Sequence, residues 1–291
     1  MMLAVQLLIN GLALGAAYAL VALGFVLVLN ATSSVNFAQG DMVMAGGYVA
    51  LALGGLLPVP GIVLLPLVLL VTAGLGLLLS AVAYFPLRSR PPAAVFISTI
   101  AVGIILQNSA NVLFGAAPRT TPALLGGGQL AWGGLVISRQ SLAIIAIAAL
   151  LIAGQYVVTT HTQFGRMLRA TAQDREMARA VGVRVNAMIA ASFALAAALA
   201  GAAGLLLANQ FFITPMSGTD LVIKAYIAAT IGGWGSLTGA VAGALLIALF
   251  EVGASAIFSY TAATAALYIA LLAILFLRPQ GLFGETQQRR V

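Results

Sequence analysis

The chain nearly lacks the residue types on which many catalytic and metal sites depend. It has no cysteine, one histidine and one lysine in 291 residues. The absence of cysteine excludes disulfides and thiolate metal sites, and His161 alone cannot form a histidine metal cluster. The glycines of a phosphate-binding loop do not precede Lys224, and no nucleophile-elbow, zinc-protease or dinucleotide-binding motif is present. We therefore expect neither an enzyme nor a metal or cofactor site in this chain, and any ATP would be bound by a partner.

Charged residues are also scarce, at 7% of the chain, whereas 62% of the residues are apolar. Several apolar runs reach about 18 residues or more, which is typical of helices that cross a membrane. The runs are continuous rather than alternating, which favours helices over a barrel. No polar stretch is long enough for a separate soluble domain. The sequence predicts an all-α, polytopic transmembrane helical bundle that occupies residues 1–291 as one domain.

The apolar runs define eight or nine spans. The first run has no basic region ahead of it and no small-residue cleavage site, so we interpret it as a span rather than a signal peptide. The long predicted spans cover residues 3–29, 61–85, 94–114, 142–158, 187–212, 237–258 and 262–277. Two shorter runs, at 42–57 and 221–231, fall below the roughly 20 residues of a full crossing. If both cross, the count is nine, and counts of eight or ten remain open.

The basic residues set the predicted orientation. A formal net charge of +7 would suggest nucleic acid in a soluble protein, but here we attribute it to topology and expect no nucleic-acid partner. Ten of the thirteen Lys and Arg residues lie in the turn at 88–90, the loop at 160–186 and the tail at 278–291. Because Lys and Arg gather in cytoplasmic loops, these segments are predicted to be cytoplasmic. The N-terminus and the periplasmic loop at 115–138 then lie outside, and the C-terminus lies inside.

The two short runs resemble each other. Each follows a long span and a polar stretch that ends in an acid, Asp41 in one case and Asp220 in the other, and each continues to a Gly-Gly pair. Under the predicted topology, the spans before them run in opposite directions. Inverted repeats with short or broken helices near the midplane are a common construction in transporters. We interpret the similarity as an inverted repeat, with chance likeness in Ala-, Gly- and Leu-rich sequence as the alternative.

The densest group of charges interrupts this apolar sequence in the predicted cytoplasmic loop at 160–186, between the fourth and fifth long spans. Thr171 and Asp174 fit the capping pattern of a helix start, and Gly182 stands where a helix could end in a left-handed residue. Met177 and Val181 would share an apolar face of that helix. Such a helix, held between two spans, is either a docking element for a partner or an ordinary solvated helix in contact with lipid headgroups.

A few polar side chains stand at or near span depth, where they are costly unless they face water, protein or substrate. Asn36, Gln39 and Asp41 surround the start of the first short run, and we interpret them as part of a translocation path. Simple loop polarity is the alternative. Asp220 and Glu251 are assigned to the same path. Glu251 lies inside a span, where an acid is functional or paired, and a subunit contact is the alternative to the path for this residue.

Two further spacings predict contacts rather than a path. Asp220 and Lys224 are four residues apart, which suits an ion pair along one helix face. Gly103, Gln107 and Asn111 follow one another at intervals of four on one face of a predicted span. Amides on such a face often bond across helices, so we interpret them as contacts that hold helices together.

Several segments resemble a known family. The run from Glu176 to Gly182 resembles the EAA-to-Gly signature of ABC importer permeases, with Met177 in place of the first Ala. The stretch FGRMLRATAQDREMARAVGV resembles the cytoplasmic loop of branched-chain amino-acid permeases of the LivH type. Four further segments are similar to that family, namely SSVNFAQGDMVMAGGY (33–48), ILQNSANVLFG (105–115), IGGWGSLTGAVAG (231–243) and LRPQGLFG (277–284). The resemblance thus runs through the whole chain in order and is specific to the family, though not to one substrate.

The resemblance implies a permease subunit of an ATP-binding-cassette importer in the bacterial cytoplasmic (inner) membrane. Its partners would be a second, homologous permease subunit, two ATP-binding subunits, an extracytoplasmic substrate-binding protein and membrane lipid. The charged loop would couple the ATPase subunit to the spans, and the residues implied for this role are Arg169, Asp174, Arg175, Glu176, Ala178, Arg179 and Gly182.

The substrate implied by the resemblance is a branched-chain or other hydrophobic amino acid, with selectivity residing largely in the binding protein. Within the family, the alternatives are urea, short amides and other amino acids. From another class, the alternative is a secondary transporter driven by Na⁺ or H⁺, because such proteins also use inverted repeats and carboxylates at membrane depth. A membrane scaffold would leave the polar residues at span depth unexplained.

Overall fold

The computed structural model describes residues 2–126, 128–132, 135–278 and 281–282. That part of the chain consists of α-helices and one short hairpin. The helices are α1 (Met2–Thr32), α2 (Gln39–Leu56), α3 (Gly61–Leu79), α4 (Pro92–Phe114), α5 (Arg139–His161), α6 (Gln163–Gln173), α7 (Arg175–Ala180), α8 (Val185–Gln210), α9 (Ser217–Gly232), α10 (Leu237–Ile257) and α11 (Tyr260–Leu277). α3 continues through a π turn, Ser80–Tyr84, and a 3₁₀ turn, Phe85–Leu87. The antiparallel hairpin pairs β1 (Gln129–Trp132) with β2 (Leu135–Ser138) in the loop before α5, where the sequence predicts no element.

Seven of the described helices are long and apolar enough to cross a membrane, counting α3 with its two terminal turns as one helix. They are α1, α3, α4, α5, α8, α10 and α11, which correspond to the seven long predicted spans. The all-α transmembrane bundle is therefore confirmed. The two remaining candidates, α2 and α9, have only 18 and 16 residues and are not among these seven helices. Whether both count as crossings stays a prediction.

The two ends of the bundle differ in the segments that lie there. Ser33 after α1, Arg88 after α3 and Asp174 before α7 line one cleft, so the charged loop and the basic 88–90 turn share an end. Asn10 near the start of α1 is within 3.4 Å of Ser141 at the start of α5, at the opposite end. Following the predicted topology, we call the end with α6 and α7 the inner end and the other the outer end.

The last described residues return to the inner end. The backbone N–H of Leu282 donates to the carbonyl of Ile231 in the last turn of α9, at 2.8 Å. Just beyond α9, the carbonyl of Gly235 accepts a 2.8 Å hydrogen bond from Asn30 near the end of α1. The chain thus starts at the outer end and reaches residue 282 at the inner end, as the predicted topology requires. Most of the predicted tail, residues 279–280 and 283–291, lies outside the described residues.

The helices pack as two inverted halves. The first half consists of α1–α3 and the second of α8–α10. The first helix of each half packs on the third helix of the other, because α1 packs mainly on α10 and α3 packs on α8. Small residues allow close approach at both contacts: Gly15 of α1 meets Leu245 and Ala248, and Gly76 of α3 meets Ala197. This exchange of equivalent partners is what an inverted repeat of α1–α3 and α8–α10 predicts.

The two short helices begin inside the bundle, beside each other. At the start of α2, the Gln39 amide donates to the carbonyl of Ala196, near the middle of α8, at 3.0 Å. The first turns of α2 and α9 meet where Gly40 faces the backbone of Gly218. From this meeting point α2 runs to the outer end, where it stacks on the end of α4, and α9 runs to the inner end. Both are therefore broken helices that start near mid-depth.

The charged loop folds as two helices rather than one, which corrects the predicted helix start. The hydroxyl of Thr162 accepts from the Gly165 N–H and caps α6, whereas Thr171 lies near the end of α6 and bonds back to Met167. Asp174 itself is the cap of α7, because its Oδ1 accepts from the backbone N–H groups of Glu176 and Met177 at 2.8 and 3.0 Å. A carboxylate that binds these amides starts a new helix and ends the previous one. The predicted end is confirmed, since Gly182 has a φ of +85°.

The contact between α2 and α8 depends on glycine. Gly46 of α2 faces the backbone of Gly201, and Gly204 faces the carbonyl of Val43 one turn earlier on α2. A Cβ at either position would collide with backbone, which cannot move aside as a flexible side chain can. By contrast, Gly55 near the end of α2 has no neighbour that an added Cβ would meet. Gly46 and Gly55, both in α2, therefore differ in their packing.

We expect Gly46→Ala to destabilise the protein by about 1–3 kcal/mol, because overpacking forces the two helices apart. Gly55→Ala is the matched control and should be neutral or slightly stabilising, since it only restricts the unfolded chain. Thermal unfolding in detergent, followed by size-exclusion chromatography, measures both. Equal melting temperatures for the two variants would contradict the packing described here.

Candidate functional site

The strongest concentration of buried charge lies between α9 and α10. The ammonium nitrogen Nζ of Lys224 lies 2.7 Å from Oε1 of Glu251 and 3.0 Å from Oδ2 of Asp220. The side chains of Lys224 and Glu251 are 4% and 5% exposed, whereas that of Asp220 is 45% exposed. Both sequence predictions for these residues are confirmed, because Asp220 pairs with Lys224 four residues later and Glu251 is paired inside its span.

Two tyrosines complete this group. The Tyr18 hydroxyl accepts from Lys224 Nζ at 2.9 Å and donates to Oε2 of Glu251 at 3.2 Å, so both carboxylate oxygens of Glu251 have partners. The Tyr260 hydroxyl lies 3.3 Å from the same nitrogen. We refer to Tyr18, Asp220, Lys224, Glu251 and Tyr260 as the ion cluster. A buried ion pair is stable only with such further hydrogen bonds, because desolvation of both charges is costly.

The ion cluster lines a cavity of about 510 Å³ toward the outer half of the bundle. Its apolar walls come from α1, α2, the end of α8, the connection to α9 and α9 itself, which contribute Leu14, Val43, Leu207, Ala208, Phe211, Phe212, Ile213, Met216 and Leu221. Sites for small molecules are of this kind, mostly apolar with a few converging polar groups, and have volumes of about 300–1,000 Å³. Asp220 and Glu251, both predicted for the path, are therefore brought together in one cavity.

A second polar group lies where α2, α4 and α9 meet. The Gln107 amide donates to Oδ1 of Asp41 at 2.8 Å and lies 3.3 Å from the hydroxyl of Thr219. Gly103, one turn earlier on α4, leaves room for the Asp41 carboxylate. The predicted cross-helix contact through Gln107 and Gly103 is confirmed, whereas Asn111, one turn further along, is exposed, and its backbone carbonyl accepts from the Gly115 N–H just past the end of α4.

The other two predicted path residues, Asn36 and Gln39, support the start of α2. The side-chain oxygen of Asn36 accepts from the backbone N–H of Ala38 at 3.1 Å. Gln39 is fully buried against α8, and its Oε1 has no hydrogen-bond partner among the described residues. Neither residue lines the cavity. The five predicted path residues thus fall in three places, with Asp41 bonded to α4 and the pair Asp220 and Glu251 in the ion cluster.

The inner end carries a polar cleft of about 720 Å³. Four of the predicted coupling residues line it, and they are Asp174, Arg175, Glu176 and Arg179. The Arg175 guanidinium donates to the hydroxyl of Tyr84 at 3.3 Å, and the Tyr84 ring lies 5.7 Å from that of Phe193 on α8. The charged loop therefore contacts the π turn after α3 and, through it, α8.

The remaining predicted coupling residues divide between the two sides of the loop. Ala178 is buried and faces the bundle, Arg169 is exposed on α6, and exposed Gly182 lies just beyond the end of α7. Met177 and Val181 turn the other way, with exposed fractions of 63% and 72%. A short helix thus buries one side on the bundle and presents two apolar side chains beyond it. The expected apolar face of the loop helix is present.

Sequence reasoning missed three members of the ion cluster as site residues. Tyr18, Lys224 and Tyr260 are not among the predicted path residues, although Lys224 and Tyr18 are buried in the cavity wall. The signal for Lys224 is that the one lysine of the chain stands in an apolar segment. Tyr18 has no such signal, because a tyrosine in the middle of an apolar span is equally suited to ordinary packing.

The structure is that of a polytopic membrane protein with broken helices around a mid-depth site, an architecture typical of transporters. The family model described as "Branched-chain amino acid transport system / permease component" matches residues 7–277. The chain belongs to that family, as the sequence resemblance predicts.

Individual relatives extend this match over nearly the full length. The high-affinity branched-chain amino acid transport system permease protein BraD of Pseudomonas aeruginosa is 33% identical, with 98% of this chain and 97% of that protein covered. LivH of Salmonella typhimurium, of the same description, is 30% identical over 98% and 97%. The probable branched-chain amino acid transport permease protein LivH of Methanocaldococcus jannaschii is 30% identical over 80% and 75%. These relatives are permeases of transport systems rather than enzymes.

The ion cluster yields a stability prediction. Lys224→Met leaves Glu251 buried without its cation, and we expect a loss of about 3–5 kcal/mol. The double variant Lys224→Met/Glu251→Gln removes both charges and should recover most of that loss. Arg90→Met, at an exposed cation with no ion pair among the described residues, is the control and should change stability little. Thermal unfolding in detergent measures all three, and a double variant no more stable than the single one would contradict the pairing.

Proposed function

We propose that this chain is the membrane permease subunit of an ATP-binding-cassette importer and forms the path for branched-chain or other hydrophobic amino acids. The observation that carries the proposal is the match of residues 7–277 to a branched-chain amino acid permease family. Relatives at 30–33% identity over nearly their whole length are named for transport of such amino acids. The chain has no phosphate-binding loop in its sequence, so separate ATP-binding subunits would supply the energy.

In this proposal, the ATP-binding subunits dock on the inner end at α7. The exposed side chains of Met177 and Val181 supply an apolar contact, and Glu176 and Arg179 beside them supply charge. Asp174 and Gly182 fix where the short helix begins and ends. A helix whose two ends are fixed moves as a rigid unit, so it is suited to transmit a displacement of the ATP-binding subunit. A flexible loop would change its own conformation instead.

The described contacts supply a route from α7 into the bundle. Arg175 is bonded to Tyr84, and Tyr84 packs on Phe193 in the inner half of α8. Further along, α8 contacts the start of α2 at Ala196 and reaches the cavity wall at Leu207. We propose that displacement of α7 moves α8 relative to α2 and thereby alters the cavity.

The path itself is proposed to run past the two polar groups. Asp41 with Gln107 and Thr219 lies at the meeting point of α2, α4 and α9, and the ion cluster lies toward the outer end. Asn36 and Gln39 would act by holding the start of α2 rather than by touching substrate. Transport requires binding that is weak enough for release, so a few polar groups in an apolar wall are sufficient.

The proposed assembly contains a second, homologous permease subunit, two ATP-binding subunits and an extracytoplasmic substrate-binding protein. It would lie in the bacterial inner membrane, with the start of α1 outside and the C-terminal tail inside. Isolation in mild detergent followed by mass spectrometry identifies the partners. Reconstituted with them, the complex should hydrolyse ATP faster when binding protein and a hydrophobic amino acid are added together. Uptake by this chain alone under a Na⁺ or H⁺ gradient would instead favour the secondary transporter.

The docking face gives a direct prediction. We expect Met177→Glu to reduce ATP-binding subunit recovered with the permease by about tenfold or more, because a buried charge in an apolar contact is costly. Gln163→Glu places the same charge on an exposed position of α6 and serves as the control. Pull-down with a tagged permease measures both, and melting temperature in detergent shows whether each variant is folded. Undiminished recovery with folded Met177→Glu would remove α7 as the docking element.

A further inference from the structure

The cavity beside the ion cluster has an imbalance of charge. Its ionisable lining consists of one formal cation, Lys224, two formal anions, Asp220 and Glu251, and the two tyrosines Tyr18 and Tyr260. One negative charge is therefore left without a cation among the described residues that line the cavity. A carboxylate without a cation of its own attracts a positively charged ligand group, and the attraction is stronger beside an apolar wall than in bulk water.

The excess charge is located at Asp220. Both oxygens of Glu251 are occupied, by Lys224 and by Tyr18, and its side chain is 5% exposed. Asp220 uses Oδ2 toward Lys224, while its Oδ1 accepts no hydrogen bond from any described residue. Its side chain is also the accessible one, at 45% exposed. A cation that enters the cavity therefore meets Asp220 first, with the buried pair behind it.

The rest of the cavity wall is mostly apolar, which favours a ligand that has an apolar group over an inorganic cation. Phe211, Phe212, Ile213 and Met216 come from the connection between α8 and α9 and line the same cavity as Asp220. Burial of apolar ligand surface against such side chains is favourable at about 25 cal/mol per Å². An inorganic cation gains nothing from this wall, and a neutral amide gains nothing from the excess negative charge.

We propose that this cavity is a substrate site for a primary ammonium attached to an apolar group, with Asp220 as the residue that receives the ammonium. The 207–216 segment receives the apolar part. Hydrophobic amino acids have both parts, so the inference deepens the proposed function and rests on it. It also names a specificity determinant within the permease itself, separate from any external binding protein.

The test uses the purified full-length permease, together with whatever subunits remain bound, in lipid nanodiscs. Saturation-transfer NMR detects weak ligands, and the probes are L-leucine, isopentylamine, which lacks the carboxylate, and 4-methylpentanoate, which lacks the ammonium. We expect leucine and isopentylamine to bind and to compete with each other, and 4-methylpentanoate to bind at least tenfold more weakly. Equal binding of 4-methylpentanoate, or displacement of leucine by Na⁺ alone, would overturn the proposal.

Two variants at one position complete the test. Asp220→Asn removes the charge at nearly constant size and should weaken leucine and isopentylamine about tenfold or more. Asp220→Glu keeps the charge and should retain most of the binding. Melting temperature shows that both are folded, and the analogue series on the unaltered protein does not depend on either variant. Binding of leucine to folded Asp220→Asn at the original strength would refute the assigned role.

Failure of the two proposals can be told apart. If amine-dependent binding is observed but ATP-driven uptake is absent with all partners present, the ammonium site stands and the importer assignment fails. If ATP-driven uptake of leucine is intact and equally strong in Asp220→Asn, the importer assignment stands and the ammonium site fails.

Discussion

The feature on which the rest of the structure depends is the start of two helices inside the bundle. A chain segment that leads into a helix within an apolar environment must satisfy its backbone N–H groups with protein partners, because water is absent there. For α2, Asn36 accepts from the Ala38 N–H, and the Thr99 hydroxyl accepts from the Phe37 N–H. For α9, the Ser217 hydroxyl accepts from the N–H of Thr214. Polar side chains therefore bond the backbone of the connections that lead into both short helices, independently of any role in transport.

The same construction creates the space in which charge is tolerated. Because α9 begins near mid-depth, its connection from α8 folds back into the bundle and leaves a cavity beside α1 and α10. Lys224, two turns into α9, reaches Glu251 on α10 and Tyr18 on α1 there. The inverted repeat does not reproduce this group, since α2 presents Asp41 to an amide of α4 instead. Near-symmetric backbones thus carry different chemistry in their two halves.

The sequence predicts most of the fold, because span length and hydropathy are local properties that a membrane enforces. It also predicts the pair of Asp220 and Lys224, which is a spacing along one helix, and the end of α7 at Gly182. The sequence does not predict features for which one residue fits two local structures, or for which residues far apart along the chain come into contact. Asp174 fits either the first turn of a helix or its cap, and only the structure shows that it caps α7. Tyr18 joins Glu251 across 233 positions of sequence, which no spacing along the chain can show.

The helix α8 links the two ends of the proposed importer. At the inner end it packs on Tyr84, at mid-depth it meets α2 through Gly201, and at its outer end Leu207 lines the cavity. Glycines at this crossing bring the backbones of α2 and α8 into close contact, and the Gln39 amide bonds the Ala196 carbonyl beside it. A displacement of α8 in the proposed coupling would therefore reach α2 directly, without an intervening layer of side chains.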